Sequence, residues 1–152
     1  MKKIIINAMP HKTSYDRERH TREIGELNQL FLNEPTDNGE KIKRNVSLKL
    51  KSYKNQDLKK KRFDNETFIS YDEIIEKLII SKLNCYYCKN DVILLYNEKR
   101  DNKQWSLDRI DNSICHTNNN TVISCLQCNL QKRCRDKDKF KFTKQMKINK
   151  HF

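Results

Sequence analysis

Two short cysteine motifs decide the architecture of this chain: Cys85-Tyr86-Tyr87-Cys88 and Cys125-Leu126-Gln127-Cys128. Two residues between paired cysteines allow both sulfurs to reach one metal ion, and two such pairs supply the four thiolates of a closed tetrahedral zinc site. Such a site contributes folding free energy directly, which matters in a chain of 152 residues with only 36% hydrophobic residues. The two remaining cysteines, Cys115 and Cys134, are expected to be free thiols.

The segment between the two motifs has the pattern of a β-hairpin followed by a helix. Residues 105–110 can form a strand, and the β-branched residues 121–124 can form its antiparallel partner. Residues 125–133 then predict a short helix opened by the second cysteine motif. Trp105 is expected in the core, and Tyr86 and Tyr87 are expected to be packing residues.

Further from the cysteines, the sequence predicts helices and a polar basic stretch. Apolar residues recur at helical spacing within 14–33, and Pro35 and Gly39 mark the following turn. Residues 40–62 fit either a basic helix or an arm that orders on binding. Ser70 and Glu73 form a capping-box pattern for an amphipathic helix that runs to about residue 83. Since Gly and Pro are absent after Gly39, turns there are expected at Asn and Asp.

The positive charge is confined to two segments. The chain has 32 Lys and Arg against 20 Asp and Glu, a formal net charge of +12. Residues 41–62 contain ten basic side chains and one acidic one, and residues 132–152 contain nine and two, whereas residues 63–131 are slightly acidic. This segregation predicts a polyanionic partner, although lysine-rich tracts also serve as solubilising surfaces.

The short apolar runs of the sequence limit where in the cell the protein is expected. None approaches the roughly 18 residues needed for a transmembrane helix, so a membrane partner is not expected. The run at residues 4–6 is too short for a secretory signal. With six cysteines and no signal, an intracellular, reducing location is expected, such as the host cell of a virus or phage.

Taken together, these motifs resemble the HNH, or ββα-metal, nuclease family in its treble-clef zinc form. The resemblance covers about residues 70–135. It rests on the two cysteine motifs, the stretch Leu107-Asp108-Arg109-Ile110-Asp111-Asn112, His116-Thr117, Asn120, and Asn129 followed by Lys132-Arg133. The sub-pattern is similar to that of small HNH proteins of phages and large DNA viruses that carry the Leu-Asp-Arg-Ile-Asp-Asn stretch.

The resemblance implies a fold, an activity and site residues. The fold would be a small α+β protein, with a ββα-metal module that holds a structural zinc ion on four cysteines and follows a helical and basic N-terminal region. The activity would be metal-dependent hydrolysis of phosphodiester bonds in DNA, by nicking or double-strand cleavage. Asp108 and Asn129 would hold a catalytic Mg²⁺ or Mn²⁺, both being oxygen donors, and Asn120 would brace the hairpin loop.

Position 109 departs from the family, because the usual general-base His is Arg. Arg109 cannot be a base, since its pKa exceeds about 12, but a guanidinium could clamp the scissile phosphate. His116 is then the leading candidate for the base, with a turn-holding or phosphate-contacting loop residue as the alternative. Asp111 is a second candidate for base or metal ligand, or else a residue that caps the turn.

The resemblance and the charge together predict four segments and a DNA-binding surface. The segments are an N-terminal helical segment (1–39), a basic arm (40–66), the zinc-containing nuclease module (67–135) and a basic C-terminal tail (136–152). Contacts to the phosphate backbone would position the protein without reading bases. The candidates are Lys41, Lys43, Arg44, Lys49, Lys51, Lys54, Lys59, Lys60, Lys61, Arg62, Lys132, Arg133 and Arg135.

Two other functions stay open from the sequence. The first is a non-catalytic zinc protein that binds nucleic acid on a degenerate HNH fold, which the substitution at Arg109 favours. The second is a nuclease directed at RNA, because phosphate contacts do not separate the two nucleic acids. Monomeric and homodimeric states are both compatible with the sequence, and no base-reading element is visible.

Overall fold

The computed structural model describes residues 12–146 and has a small α+β architecture. The described residues form five helices and one two-stranded antiparallel sheet. None of these helices is both long enough and apolar enough to cross a membrane. In chain order the elements are α1 (Ser14–Phe31), α2 (Gly39–Lys59), α3 (Tyr71–Ile80), β1 (Trp105–Arg109), β2 (Thr121–Cys125), α4 (Leu126–Lys132) and α5 (Lys137–Gln145).

The predicted hairpin and short helix are present. Strand β1 pairs antiparallel with β2, with Trp105 opposite Cys125 and Arg109 opposite Thr121. Helix α4 follows β2 without a loop. The Cys125 side chain caps the helix start, because it accepts a hydrogen bond from the Cys128 amide, which has no partner within the helix. This β–β–α order places the second cysteine motif at the junction of sheet and helix.

The basic segment after Gly39 is a helix with one apolar face. In α2, Ile42, Val46 and Tyr53 are buried in the core, while most of the intervening lysines are exposed. The apolar positions recur every four and seven residues, which places them on one side of a helix. The Tyr53 hydroxyl accepts a hydrogen bond from the Leu107 amide at 3.0 Å, so α2 packs directly against β1.

The capping box at Ser70 and Glu73 opens α3 as predicted. The helix ends at Ile80, about three residues earlier than expected, and the turn that follows contains Lys82 and Leu83 with positive φ. After Gly39, positive φ also occurs at Lys61, Lys89 and Arg133 and never at Asn or Asp among the described residues. The expectation that Asn and Asp make the turns is therefore wrong for the left-handed positions, each of which costs roughly 1–2 kcal/mol.

The basic C-terminal segment contributes to the core. Residues 137–145 form α5, opened by the Asp136 side chain, which accepts hydrogen bonds from two amides of the first turn. Phe140 is buried and meets the Tyr87 ring edge-on, with 5.1 Å between ring centroids. The Gln145 side chain donates to the Tyr87 carbonyl. Residues 147–152 lie outside the described residues.

One hydrophobic core joins the segments. It contains Leu27 of α1, Val46 of α2, Leu78 of α3 and Trp105 of β1, and it extends to Phe140 of α5. The buried Glu23 of α1 adds a polar tie, because its carboxylate accepts from the amides of residues 94 and 95. The core therefore fixes both basic segments relative to the sheet.

Candidate functional site

The four predicted cysteine ligands form one cluster. The sulfurs of Cys85, Cys88, Cys125 and Cys128 all lie within 4.8 Å of one another. A tetrahedral zinc site with Zn–S bonds of about 2.3 Å has sulfurs about 3.8 Å apart, and the distance from Cys88 to Cys125 is 4.0 Å. This group could hold a metal ion such as zinc.

The four thiols of the cluster shift one another's pKa values. Hydrogen bonds from Cys125 and Cys128 lower the pKa of Cys85 and lower that of Cys88 to about 7. The hydrogen bonds that Cys128 makes to the other three thiols raise its own pKa. Four thiolate charges in so small a volume would repel one another, and a divalent cation would relieve that repulsion.

A polar cleft of about 550 Å³ lies between β1, α2 and α4. Four of the predicted catalytic residues line it: Asp108 and Arg109 at the end of β1, His116 from the hairpin loop, and Asn129 from α4. Arg133 borders the same cleft. The fold thus brings together residues that are separated along the sequence and belong to a strand, a loop and a helix.

Asp108 is buried and paired. Its Oδ2 atom accepts a hydrogen bond from the Tyr87 hydroxyl and lies 3.0 Å from the ammonium of Lys132. Burial raises the pKa of Asp108, and the hydrogen bonds from Tyr87 and Lys132 oppose that shift. Tyr87 is thus more than a packing residue, and Lys132 differs from the predicted phosphate contact because its side chain is fully buried.

Asn129 is oriented by β1. Its amide nitrogen donates to the Ser106 hydroxyl and to the Leu107 carbonyl, at 3.1 and 3.2 Å. Neither the Asn129 amide oxygen nor the Oδ1 atom of Asp108 receives a hydrogen bond from the described residues. Both are hard oxygen donors of the kind that Mg²⁺ and Mn²⁺ bind together with water and phosphate. The chemical type of these two donor atoms therefore suits a divalent cation.

Arg109 is half-buried and braces the hairpin loop. One guanidinium nitrogen donates to the carbonyl oxygens of Asn112 and Ile114, at 2.7 and 3.4 Å. Burial lowers its pKa, but a guanidinium remains charged at neutral pH. Its remaining N–H groups have no partner among the described residues, so Arg109 can hold the loop and still present charge to the cleft.

His116 is held by an acidic residue that the sequence reasoning missed. Its Nδ1 atom lies 2.8 Å from Oδ2 of Asp57, and its backbone amide donates to the same oxygen at 2.9 Å. The ring also stacks on Tyr53, with 4.6 Å between ring centroids. Asp57 is the single acidic residue among residues 41–62. A lone acidic residue in a basic tract is the sequence feature that could have identified Asp57.

Asn120 lies in the hairpin loop and acts as its brace. Its amide oxygen accepts from the Asp111 amide, and its amide nitrogen donates to the carbonyl oxygens of Asp111, Ile114 and Cys115. Asp111 itself is exposed, and its carboxylate accepts from the amide and hydroxyl of Ser113. Neither side chain borders the cleft, so both have the geometry of turn-forming residues.

Most predicted DNA contacts are exposed. Arg62 is the first exception, since its Nε lies 2.8 Å from Oδ1 of Asp57. Lys49 is the second, because its ammonium donates to the Gln104 side chain and burial lowers its pKa to about 8. With Lys132 also buried, the exposed candidates are Lys41, Lys43, Arg44, Lys51, Lys54, Lys59, Lys60, Lys61, Arg133 and Arg135.

Comparisons with known proteins leave the family of the chain open. No protein-family model matches the sequence, and searches of curated proteins and of solved structures found no match.

Proposed function

We propose that this protein is a metal-dependent HNH-type endonuclease that hydrolyses phosphodiester bonds in DNA. The observation that supports this proposal is the cleft in which Asp108, Arg109, His116 and Asn129 meet. A potential metal-binding carboxylate, a charged clamp, a buried imidazole and an amide oxygen are the groups that phosphodiester hydrolysis needs. The resemblance of residues 70–135 to the HNH family supports the same interpretation.

The divalent cation would be held by Asp108 and Asn129. When bound, Mg²⁺ or Mn²⁺ supplies charge that stabilises the phosphorane and the leaving oxygen. The chain positions both ligands: the Ser106 hydroxyl and Leu107 carbonyl orient Asn129, and Tyr87 orients Asp108. These contacts lock the side-chain rotamers, which is a requirement for a pre-organised site.

His116 would act as the general base. It accepts a proton from a water molecule at the ring nitrogen not bonded to Asp57, and the oxygen of that water bonds to phosphorus as the bond to the 3′ oxygen breaks. Burial lowers the pKa of His116, so the ring is neutral at pH 7 and able to accept the proton. General-base catalysis of this kind contributes roughly 10²- to 10⁴-fold.

The charged side chains at the cleft would hold the substrate. Arg109 and Arg133 provide guanidinium groups, which bind phosphate through paired hydrogen bonds. On α2, the exposed Lys41 and Lys59 lie on the same side of the helix as Gln56, which borders the cleft. A duplex seated over the cleft would meet these lysines through its phosphates, in a sequence-independent manner.

Two observations favour the second candidate function, a non-catalytic zinc protein that binds nucleic acid on a degenerate HNH fold. Arg109 occupies the position of the usual base, and the ammonium of Lys132 already neutralises Asp108. A cation that bound Asp108 would have to tolerate that neighbouring positive charge. Binding without cleavage is the property that separates this function from the first.

The decisive experiment measures nicking of supercoiled plasmid with Mg²⁺ or Mn²⁺, next to binding of a labelled duplex by fluorescence anisotropy. Wild type is expected to cut, and Asp108→Ala is expected to abolish cutting and largely spare binding. Asp72→Ala, which removes an exposed carboxylate at the start of α3, is the matched control and is expected to cut normally. Labelled RNA run in parallel tests the RNA-directed alternative.

The outcomes of this experiment separate the candidate functions. Binding by wild type without cleavage in either metal would support the non-catalytic function. Cleavage of RNA in place of DNA would assign the RNA-directed activity. Absence of both binding and cleavage, in protein that retains its zinc, would remove both candidate functions.

A further inference from the structure

We propose that Asp57 is the positioning residue of this site: it holds His116 with the proton on Nδ1, so that Nε2 is the proton acceptor. The base role of His116 rests on the proposed function, whereas the proton position on its ring does not. Asp57 lies in the basic helix α2, outside residues 67–135, which contain the candidate catalytic residues.

Asp57 contacts both the backbone amide and the ring of His116. A single carboxylate oxygen, Oδ2, accepts from the backbone amide of His116 and lies 2.8 Å from Nδ1 of its ring. The other oxygen, Oδ1, is 2.8 Å from Nε of Arg62. Asp57 is fully buried and His116 is only 3% exposed. Both oxygens are thus engaged away from bulk water, where such bonds are strongest.

The protonation state of Asp57 determines the tautomer. Burial alone would raise the pKa of Asp57, but hydrogen bonds from the His116 amide, from Arg62 and from the His116 ring outweigh it, and the pKa is lowered. An ionised carboxylate accepts hydrogen bonds and donates none. The ring nitrogen that faces it must therefore carry the hydrogen, and the second ring nitrogen keeps its lone pair.

The ring plane is fixed from α2 as well. Tyr53, one helical turn before Asp57, stacks on His116 with an interplanar angle of 29°. Its hydroxyl accepts from the amide of Leu107, next to Asp108. Helix α2 thus holds the imidazole by its face and by one edge, and ties it to the end of β1. Imidazole orientation and tautomer are what a general base requires from its neighbours.

The charges that face His116 come from three segments. Asp57 lies on α2, Arg62 follows that helix and Arg109 ends β1; Asp57 raises the pKa of His116, while the two arginines and burial lower it. Removal of the Asp57 charge leaves burial and the arginines unopposed. The pKa of His116 is therefore expected to fall further in Asp57→Asn, which is a change that simple loss of packing would not produce.

The proton position is measured by nitrogen NMR of the imidazoles in the full chain with zinc bound. The chain has four histidines, and His116→Gln identifies the signal of interest. Wild type is expected to show a protonated Nδ1 and an unprotonated Nε2 at a pH of about 7.5, above the ordinary histidine pKa. In Asp57→Asn, whose amide can either accept or donate, this preference is expected to weaken or reverse and the titration midpoint to move to lower pH. An Nε2–H tautomer in wild type would overturn the assignment.

Cleavage rates provide the functional readout. Single-turnover rates against pH are expected to drop about 10- to 1,000-fold in Asp57→Asn, part of the 10²- to 10⁴-fold worth of a general base. The acidic limb is expected to move to lower pH, and Asp57→Glu to restore part of the rate. Val46→Ala, a buried α2 change, is the control that lowers stability without moving that limb.

The two readouts separate the possible failures. If no variant and no wild-type protein cuts DNA, the proposed function fails, yet the NMR result still decides the Asp57 assignment. If wild type cuts and Asp57→Asn shifts neither the tautomer nor the acidic limb, the positioning role is refuted. Zinc content and the thermal midpoint of each variant establish that the compared proteins are folded.

Discussion

The ammonium of Lys132 lies 3.0 Å from the Oδ2 atom of Asp108 and 3.0 Å from the carbonyl oxygen of Arg109, inside the protein. Lys132 is fully buried and Asp108 is 4% exposed. The pair joins the end of α4 to the end of β1, the two elements that carry Asn129 and Asp108. The buried ammonium of Lys132 thus holds and balances the charge of Asp108, which lines the cleft.

Lys132→Met is expected to destabilise the protein by about 3–5 kcal/mol, because it leaves a buried carboxylate without its countercharge. The double variant Lys132→Met/Asp108→Asn is expected to lose less than Lys132→Met alone, since no uncompensated charge remains. Urea denaturation with zinc present measures both. Lys139→Met, at an exposed position of α5, is the control and is expected to change stability by less than about 0.5 kcal/mol. Equal losses in the single and double variants would argue against the pairing.

Removal of the metal from the four-cysteine cluster is expected to unfold the module. Cys128→Ser removes one of four ligands, and a strong chelator removes the ion, so either treatment should abolish the cooperative thermal transition. Elemental analysis is expected to find about one zinc per wild-type chain. Cys134→Ser changes an exposed thiol outside the cluster and is expected to keep zinc and stability. A wild-type protein without metal that melts cooperatively would contradict this expectation.

Asn120→Ala is expected to lower stability by about 2–3 kcal/mol, because it removes four side-chain hydrogen bonds of the hairpin loop and leaves backbone groups without partners. Asn119→Ala alters the adjacent, exposed asparagine and should change stability by less than about 0.5 kcal/mol. Thermal denaturation of both variants is the measurement. A similar midpoint for the two would show that Asn120 does not brace the loop.

The basic helix α2 is expected to bind DNA with one side. Lys59 and Lys60, at the end of α2, follow the cleft-lining Gln56 by three and four positions, which is helical spacing for the same side. The ammonium of Lys43 lies 3.4 Å from the Glu40 carboxylate, and that of Lys54 lies over the Phe63 ring. Lys59→Gln/Lys60→Gln should weaken duplex binding and reduce the salt slope by about 1 to 2.

The matched variant for this test is Lys43→Gln/Lys54→Gln, which has the same net charge. It is expected to bind nearly as well as wild type. Fluorescence anisotropy at several salt concentrations gives both slopes. Equal losses in the two variants would mean that binding follows net charge alone and does not depend on the side of α2.

Local patterns predicted the elements around the cleft. The capping box at Ser70 predicted the start of α3, and the β-branched residues 121–124 predicted the antiparallel partner of the strand at residues 105–110. The cysteine spacing predicted one four-sulfur cluster. The helix start, the strands and each cysteine pair were predictable because they depend on neighbours within a few positions, where helix period, strand period and ligand spacing act directly. Helix α5 was missed because its few apolar residues lie in a highly charged tract.

By itself, the sequence determined the four-cysteine cluster, the strand–strand–helix order and the concentration of charge in two segments. Only the tertiary structure decided which polar residues meet. Asp57 and His116 are 59 positions apart, and Lys132 and Asp108 are on different elements. Asp57 stands out as the single acidic residue among residues 41–62, but no local pattern shows that it faces the His116 ring or that Lys132 is a buried cation. Burial and pairing arise only when α2 and α4 pack against the same strand and exclude water from their polar groups.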